Sequence, residues 1–115
     1  MLIGEIAVVG FIPNIAHAQD VWVYGNNNFN VYVMNETYER FPSPANFAVK
    51  AKIVYPNGNW SANYYVFSRE GTRFEYTWYC IVNNSDKYRL NLDNEADNAF
   101  PYQVKIFRYC VNKFQ

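Results

Sequence analysis

Apolar and polar positions alternate most regularly at Phe47, Val49, Ala51, Ile53 and Tyr55, with Lys50 and Lys52 between them. That period of two marks an antiparallel strand with one face buried and one wet. Pro56-Asn57-Gly58-Asn59 is turn chemistry,, and Trp60 to Arg69 forms the return strand. Pairing Tyr55 with Trp60 sets Ile53 opposite Ala62, Ala51 opposite Tyr64 and Val49 opposite Val66, so one side stays apolar on both strands,. A three-residue loop, Glu70-Gly71-Thr72, then leads into a strand from Arg73 to Val82, with Tyr64 beside Trp78 and Val66 beside Tyr76,.

Upstream, Val21 to Tyr24 and Val31 to Met34 alternate around the Gly25 to Asn30 turn and form a first hairpin, and residues 35 to 46, with Pro42 and Pro44, are expected to be a loop,. Downstream, Asn83 to Asp86 reads as a turn and Tyr88 to Leu92 as a short strand. Asp93, Glu95 and Asp97 then form an acidic lead-in to a helix, with Pro101 in its first turn,. Phe100, Val104, Phe107, Val111 and Phe114 recur at helical spacing, and Arg108 and Lys113 suit the C-terminal end of the dipole,. The expected fold is α+β: an antiparallel meander of about five strands with one C-terminal helix packed on one face,.

The first eighteen residues follow a different pattern. Ile6 to Ile12 is an apolar run, Pro13 breaks it, and Ala16-His17-Ala18 supplies the small-x-small triplet of a signal peptidase site before Gln19-Asp20,. Residues 1–18 are therefore expected to be a signal peptide and residues 19–115 one small domain, secreted, periplasmic or otherwise in the cell envelope. The leader lacks its basic start, since Glu5 stands where a cation belongs and the first positive charge is Arg40. An internal Met1 with the true start upstream would account for this; the competing reading makes residues 2–16 a buried strand or helix. The run is shorter than the ~20 apolar residues that span a bilayer.

Without the leader, ten basic residues face nine acidic ones, which gives no electrostatic reason to expect nucleic acid or an anionic membrane as partner,. Tyr, Phe and Trp make up 20% of the chain. Such rings suit both a sheet core and a binding face.

The absences narrow the chemistry. The one histidine, His17, lies in the expected leader, so the mature chain has no His-dependent nucleophile system and no imidazole for a metal site,. There is no phosphate loop, no Cys-x-x-Cys and no calcium loop, and no cofactor is expected,. Glu70 and Glu75 fall on one hairpin and could do acid–base work, although a turn residue and a solvated strand carboxylate explain them as well,. Cys80 and Cys110 either staple the helix to the sheet as a disulfide, as an exported location permits, or are two separate buried thiols,.

On the registers above, Lys50, Lys52, Asn63, Tyr65, Phe67, Glu75 and Tyr79 point away from the helix. Of these, Tyr65, Tyr79, Phe67, Lys50 and Lys52 are the candidate binding residues, for a protein, peptide or glycan ligand. The same face could instead be covered by a second layer built from residues 20–46.

Gln19-Asp20-Val21-Trp22-Val23-Tyr24, the Gly/Asn turn, and Val31-Tyr32-Val33-Met34-Asn35-Glu36-Thr37 together resemble the start of small exported bacterial proteins of unknown function. In those proteins a short β meander ends in a helix containing a Cys, the place of Cys110 here. The resemblance implies export and architecture and carries no ligand. The function expected is a secreted or envelope-associated binding module without catalysis; the alternative is a small hydrolase or inhibitor-like protein working through Glu70, Glu75, Asp93 or tyrosines.

Overall fold

A computed structural model describes residues 20–42, 46–98 and 100–115; the expected signal peptide lies outside them. Six strands, β1 (Asp20–Gly25), β2 (Asn30–Arg40), β3 (Phe47–Val54), β4 (Trp60–Gly71), β5 (Tyr76–Val82) and β6 (Lys87–Arg89), are followed by one helix, α1 (Pro101–Phe114). They form a single antiparallel sheet in sequence order, β1 to β6, so every connection is a hairpin or short link. The α+β meander with a C-terminal helix on one face is the expected architecture, with six strands rather than about five.

Local chemistry explains the turns. Asn26 Oδ1 accepts from the backbone N–H of Asn28 (2.7 Å) and Phe29 (3.0 Å), closing the β1–β2 link,. Asn83 and Asn84 both adopt positive φ (53° and 59°) between β5 and β6, a conformation Asn tolerates better than most residues. Residues 35–40, expected to be loop, continue β2 instead. The pairing with β3 slips between Met34 and Glu39, where Thr37 Oγ1 donates to Met34 O (2.7 Å) and accepts from Lys50 N–H (2.8 Å), so a side chain replaces the interrupted ladder,.

The largest correction concerns the β3–β4 register. Val54 pairs with Trp60, Ala51 with Asn63, Val49 with Tyr65 and Phe47 with Phe67, one residue away from the expected pairing. Gly58 at φ 89° makes a three-residue loop of Pro56-Asn57-Gly58, with Gly58 N–H donating to Tyr55 O (2.9 Å) and Tyr55 N–H to Asn59 O (2.8 Å). Three-residue hairpin loops end on a left-handed residue, and the sequence places Gly58 there. Because the side-chain period is two, the one-residue shift exchanges the faces of β4. The β4–β5 link also differs: Gly71, at φ 121°, pairs with Tyr76, and the loop is the four residues 72–75.

The core lies between the sheet and α1. Val31, Val33, Phe47, Val49, Ala51, Tyr65, Phe67 and Cys80 from the strands meet Val104, Ile106, Phe107 and Cys110 of the helix. Phe107 is the hub, with its ring centroid 4.9 Å from Trp78, 5.5 Å from Phe67 and 5.8 Å from Phe47. Phe114 stacks on Tyr38 at 4.0 Å, and Tyr109 Oη donates to Asn35 Oδ1 (2.8 Å), so the extended half of β2 is what the last turns of α1 rest on. Pro101 occupies the first turn as expected,. The acidic lead-in forms its own 3-10 turn, Glu95–Asp97. Arg108 ties that turn to the helix, donating from Nε to Glu95 Oε2 and from Nη2 to Leu92 O, both at 2.7 Å. Lys105, whose Nζ lies 2.9 Å from Glu95 Oε1, and then Arg108 lower the Glu95 pKa by donating to its carboxylate.

Candidate functional site: the open sheet face and a cleft at the helix start

The face of the sheet opposite α1 carries the even-numbered positions of β3 and β4 and, as far as Met34, of β2; beyond the slip in β2 the faces exchange, so that Glu39 is on the open face and Tyr38 under α1. No helix or second layer covers the open face among the described residues, because residues 20–25 and 30–40 belong to the same sheet. Across four strands Trp22, Tyr32, Lys52 and Ala62 form one row, and Asn30, Val54 and Trp60 the next. Trp22 and Trp60 are 56% and 55% exposed, unusually open for rings of that size on a regular strand,. Both are positioned: Trp22 Nε1 donates to Asn30 Oδ1 (2.9 Å), and Lys52 Nζ lies 4.8 Å from the Trp60 ring centroid. Lys52 is buried and pairs with Asp20 at 2.6 Å, whereas Lys50, one pleat away, stands exposed beside Tyr64. The Tyr64 hydroxyl donates to Glu39 Oε2 (3.3 Å), and desolvation together with that carboxylate raises its pKa.

The expected site residues separate. Tyr65 and Phe67, expected on the outer face, have no exposed surface and sit in the core under α1. The register that accompanies the three-residue Gly58 loop turns the odd positions of β4 inward. Burial drives the Tyr65 pKa upward, as it must for a phenol kept from water,. Lys50, Lys52 and Tyr79 do lie on the open face, but Tyr79 is on β5 opposite Ser68 and Arg89, four positions along β4 from the partner of Lys50, and its ring is taken up by Lys87 Nζ at 4.8 Å. Of the rings open on this face, Trp60 was missed because the shifted register gave β4 the wrong side, and Gly58 in the third loop position is the signal that would have found it; Trp22 reaches the face through the pairing of β1 with Tyr32 of β2.

Cys80 and Cys110 are free thiols, both fully buried, so of the two alternatives, disulfide staple or separate core cysteines, the structure has the second. Desolvation pushes each thiol up to about 12. Such thiols are poor nucleophiles and poor metal ligands. Of the carboxylates expected as alternatives, Glu70 pairs with Lys87 at 2.6 Å and Glu75 lies in the exposed 72–75 loop. Among the described residues no group of three His, Cys, Asp or Glu side chains could hold a metal ion.

A second concave feature lies at the other end of the helix-covered side. The β5–β6 turn and the start of α1 enclose a cleft of about 400 Å³, with Asn83, Ser85, Tyr88, Phe100, Tyr102 and Gln103 among its lining residues. The Tyr88 and Phe100 rings meet edge to face, 5.8 Å apart at 86°. Phe100 precedes the helix without capping it through its side chain. Burial raises the Tyr102 pKa. This cleft joins positions far apart in sequence, and no spacing pattern announces it.

The chain matches no family model, no curated protein and no solved structure.

Proposed function

We propose that this protein is a non-catalytic interaction module of the exported or envelope compartment that holds a protein or peptide partner on the open face of its sheet. The observation that supports the reading is the pair of tryptophans, Trp22 and Trp60, each more than half exposed on one face and each fixed from the side by a neighbour. Tryptophan is the residue most enriched where binding energy concentrates, because it offers a large ring with few torsions to freeze. A rigid sheet holds those rings without a further ordering cost. Lys50 and Glu39 add charge of both signs further along the same face, as a protein partner's mixed surface requires. Export rests on residues 1–18, and intact-mass measurement of native material should find a chain starting at Gln19 or Asp20,.

The test is capture from envelope extract with the wild-type chain, Trp22→Ala and Trp60→Ala. A partner held by the wild type should be lost or weakened by about 2 kcal/mol or more in either variant, while the melting curve shifts by less than ~1 kcal/mol because neither ring is in the core. Equal retention by all three proteins would remove the open face from consideration.

A further inference from the structure

Phe74 stands at the tip of the β4–β5 hairpin, at the opposite end of β4 from Trp60, and is 82% exposed. A single exposed ring is ordinary on a protein surface; this one is held out by its backbone. Thr72 N–H donates to Glu75 O (2.8 Å), and Thr72 Oγ1 accepts from the N–H groups of Glu75 (2.9 Å) and Phe74 (3.3 Å). Gly71, at φ 121°, closes the loop so tightly that a Cβ there would collide with Glu75 O. Pairing of β4 with β3 ends at Phe67, and past Arg69, whose N–H donates to Asn46 Oδ1 (3.2 Å), the ladder continues with β5 alone. The ring is therefore carried on a fixed two-stranded projection with little freedom left to lose on contact.

The flanking charges indicate what the ring meets. The Arg73 guanidinium lies 5.0 Å from the Phe74 ring centroid, and that of Arg69 lies 4.9 Å from the centroid of Tyr76, which is 49% exposed. Of the nearby carboxylates, Glu70 is held by Lys87 Nζ at 2.6 Å, and Glu75 stands exposed on the loop. The balanced charge of the whole chain hides this local excess of cations. A stable protein contact takes ~20–30 residues a side, more than residues 69–76 supply. A bilayer surface asks for less: an apolar ring at the acyl boundary, cations on the phosphates and an amphipathic ring among the headgroups. Phe74, the two arginines and Tyr76 match those three parts, and guanidinium donors fit phosphate oxygens in pairs. We propose that the β4–β5 tip docks on an anionic lipid surface, with Phe74 inserted and Arg69 and Arg73 on lipid phosphates. At ~3.3 Å per residue, β4 keeps Trp60 roughly 35 Å from that contact,.

The experiment is co-sedimentation of the chain with vesicles of phosphatidylcholine containing phosphatidylglycerol, and with phosphatidylcholine alone, at low salt. Half of the protein should be bound at about 1 mM accessible anionic vesicle lipid, and neutral vesicles should bind it about tenfold more weakly. Phe74→Ser should weaken binding about tenfold or more, and Arg73→Gln about fivefold. The apolar segment at residues 6–12 is common to all these proteins, so a second measurement reports on the tip itself. Phe74→Trp should bind at least as well as the wild type, and brominated acyl chains should quench the emission it adds. Trp22→Ala and Trp60→Ala should bind vesicles unchanged, so loss of a protein partner in those variants and loss of lipid in Phe74→Ser are separate results. Absence of binding to anionic vesicles, wild-type binding by Phe74→Ser, or an unquenched Phe74→Trp overturns the proposal. Capture of a protein through Phe74 without vesicle binding also overturns it and gives the tip to that partner.

Discussion

On β4, Tyr65 and Phe67 have no exposed surface, while Trp60 on the opposite face keeps more than half of its own. Both faces of this strand carry aromatic rings, with Trp60 and Tyr64 beside Val66 on one and Tyr65 and Phe67 on the other. What distinguishes them is the helix: α1 delivers Phe107 onto Phe67 and Phe47, and the other face receives no element among the described residues. Composition therefore cannot tell core from surface on this strand. The three-residue loop ending on Gly58 matches the register in which Tyr65 and Phe67 are the core.

The sharpest way to set the faces apart is alkaline titration, since both thiols lie on the helix side and are neutral there. Cys80 and Cys110 are raised from 9.0 to about 12 by desolvation. In the unfolded chain they ionise near the lower value, so the folded state holds more protons between the two and stability falls as pH rises through that window. At ~1.4 kcal/mol per pH unit the loss approaches about 4 kcal/mol for each thiol by the upper end. Melting temperature measured from neutral pH upward should hold to about pH 9 and then drop steeply. Alkylation in denaturant should label both cysteines without reductant, and protection of either thiol would restore the disulfide.

Truncation on the two faces gives the next largest contrast. Phe67→Ala removes a ring packed against Phe47 and Phe107 and should lower stability by about 3–5 kcal/mol in chemical denaturation. Tyr64→Ala, the neighbouring position on the other face, loses part-buried ring area and one long hydrogen bond to Glu39 and should stay below about 1.5 kcal/mol. Equal losses would mean that the open face is as firmly packed as the covered one, and the binding reading would lose its surface.

Several parts of this arrangement were legible in the chain. The alternation of β3 was correct because its outer positions are Ala48, Lys50 and Lys52, which no core would choose over Phe47, Val49, Ala51 and Ile53. The helix was correct in place, with its stripe widened to include Gln103, Ile106 and Cys110 beside Val104 and Phe107. The register of β4 was not legible from hydrophobicity, because Tyr64 with Val66 and Tyr65 with Phe67 offer two almost equal apolar faces. The continuation of β2 was hidden because Thr37, a polar residue in the middle of the segment, supports the strand through its hydroxyl. The cleft depends on Tyr88 and Phe100 meeting across the 3-10 turn held by Arg108, a contact no local pattern encodes.

The register itself can be tested at its source, with a smaller effect. Gly58 has φ 89° and nothing within 4 Å of where a Cβ would stand, so Gly58→Ala costs backbone strain alone, about 1–2 kcal/mol. Gly58→Asn should cost less, since Asn visits the left-handed region more readily. The chain has an escape: lengthening the turn to four residues would pair Tyr55 with Trp60 and relieve the strain. That slip would turn Tyr65 and Phe67 into water and bring Tyr64 and Val66 under α1. Two core aromatics are worth several kcal/mol, more than the strain, so the register should hold and the variant should simply melt lower. Cross-strand contacts between residues 49 and 65, observed by NMR in Gly58→Ala, are the expected result. Contacts between 49 and 66 would show that the glycine, and not the packing of α1 on Tyr65 and Phe67, decides which face of β4 is the core.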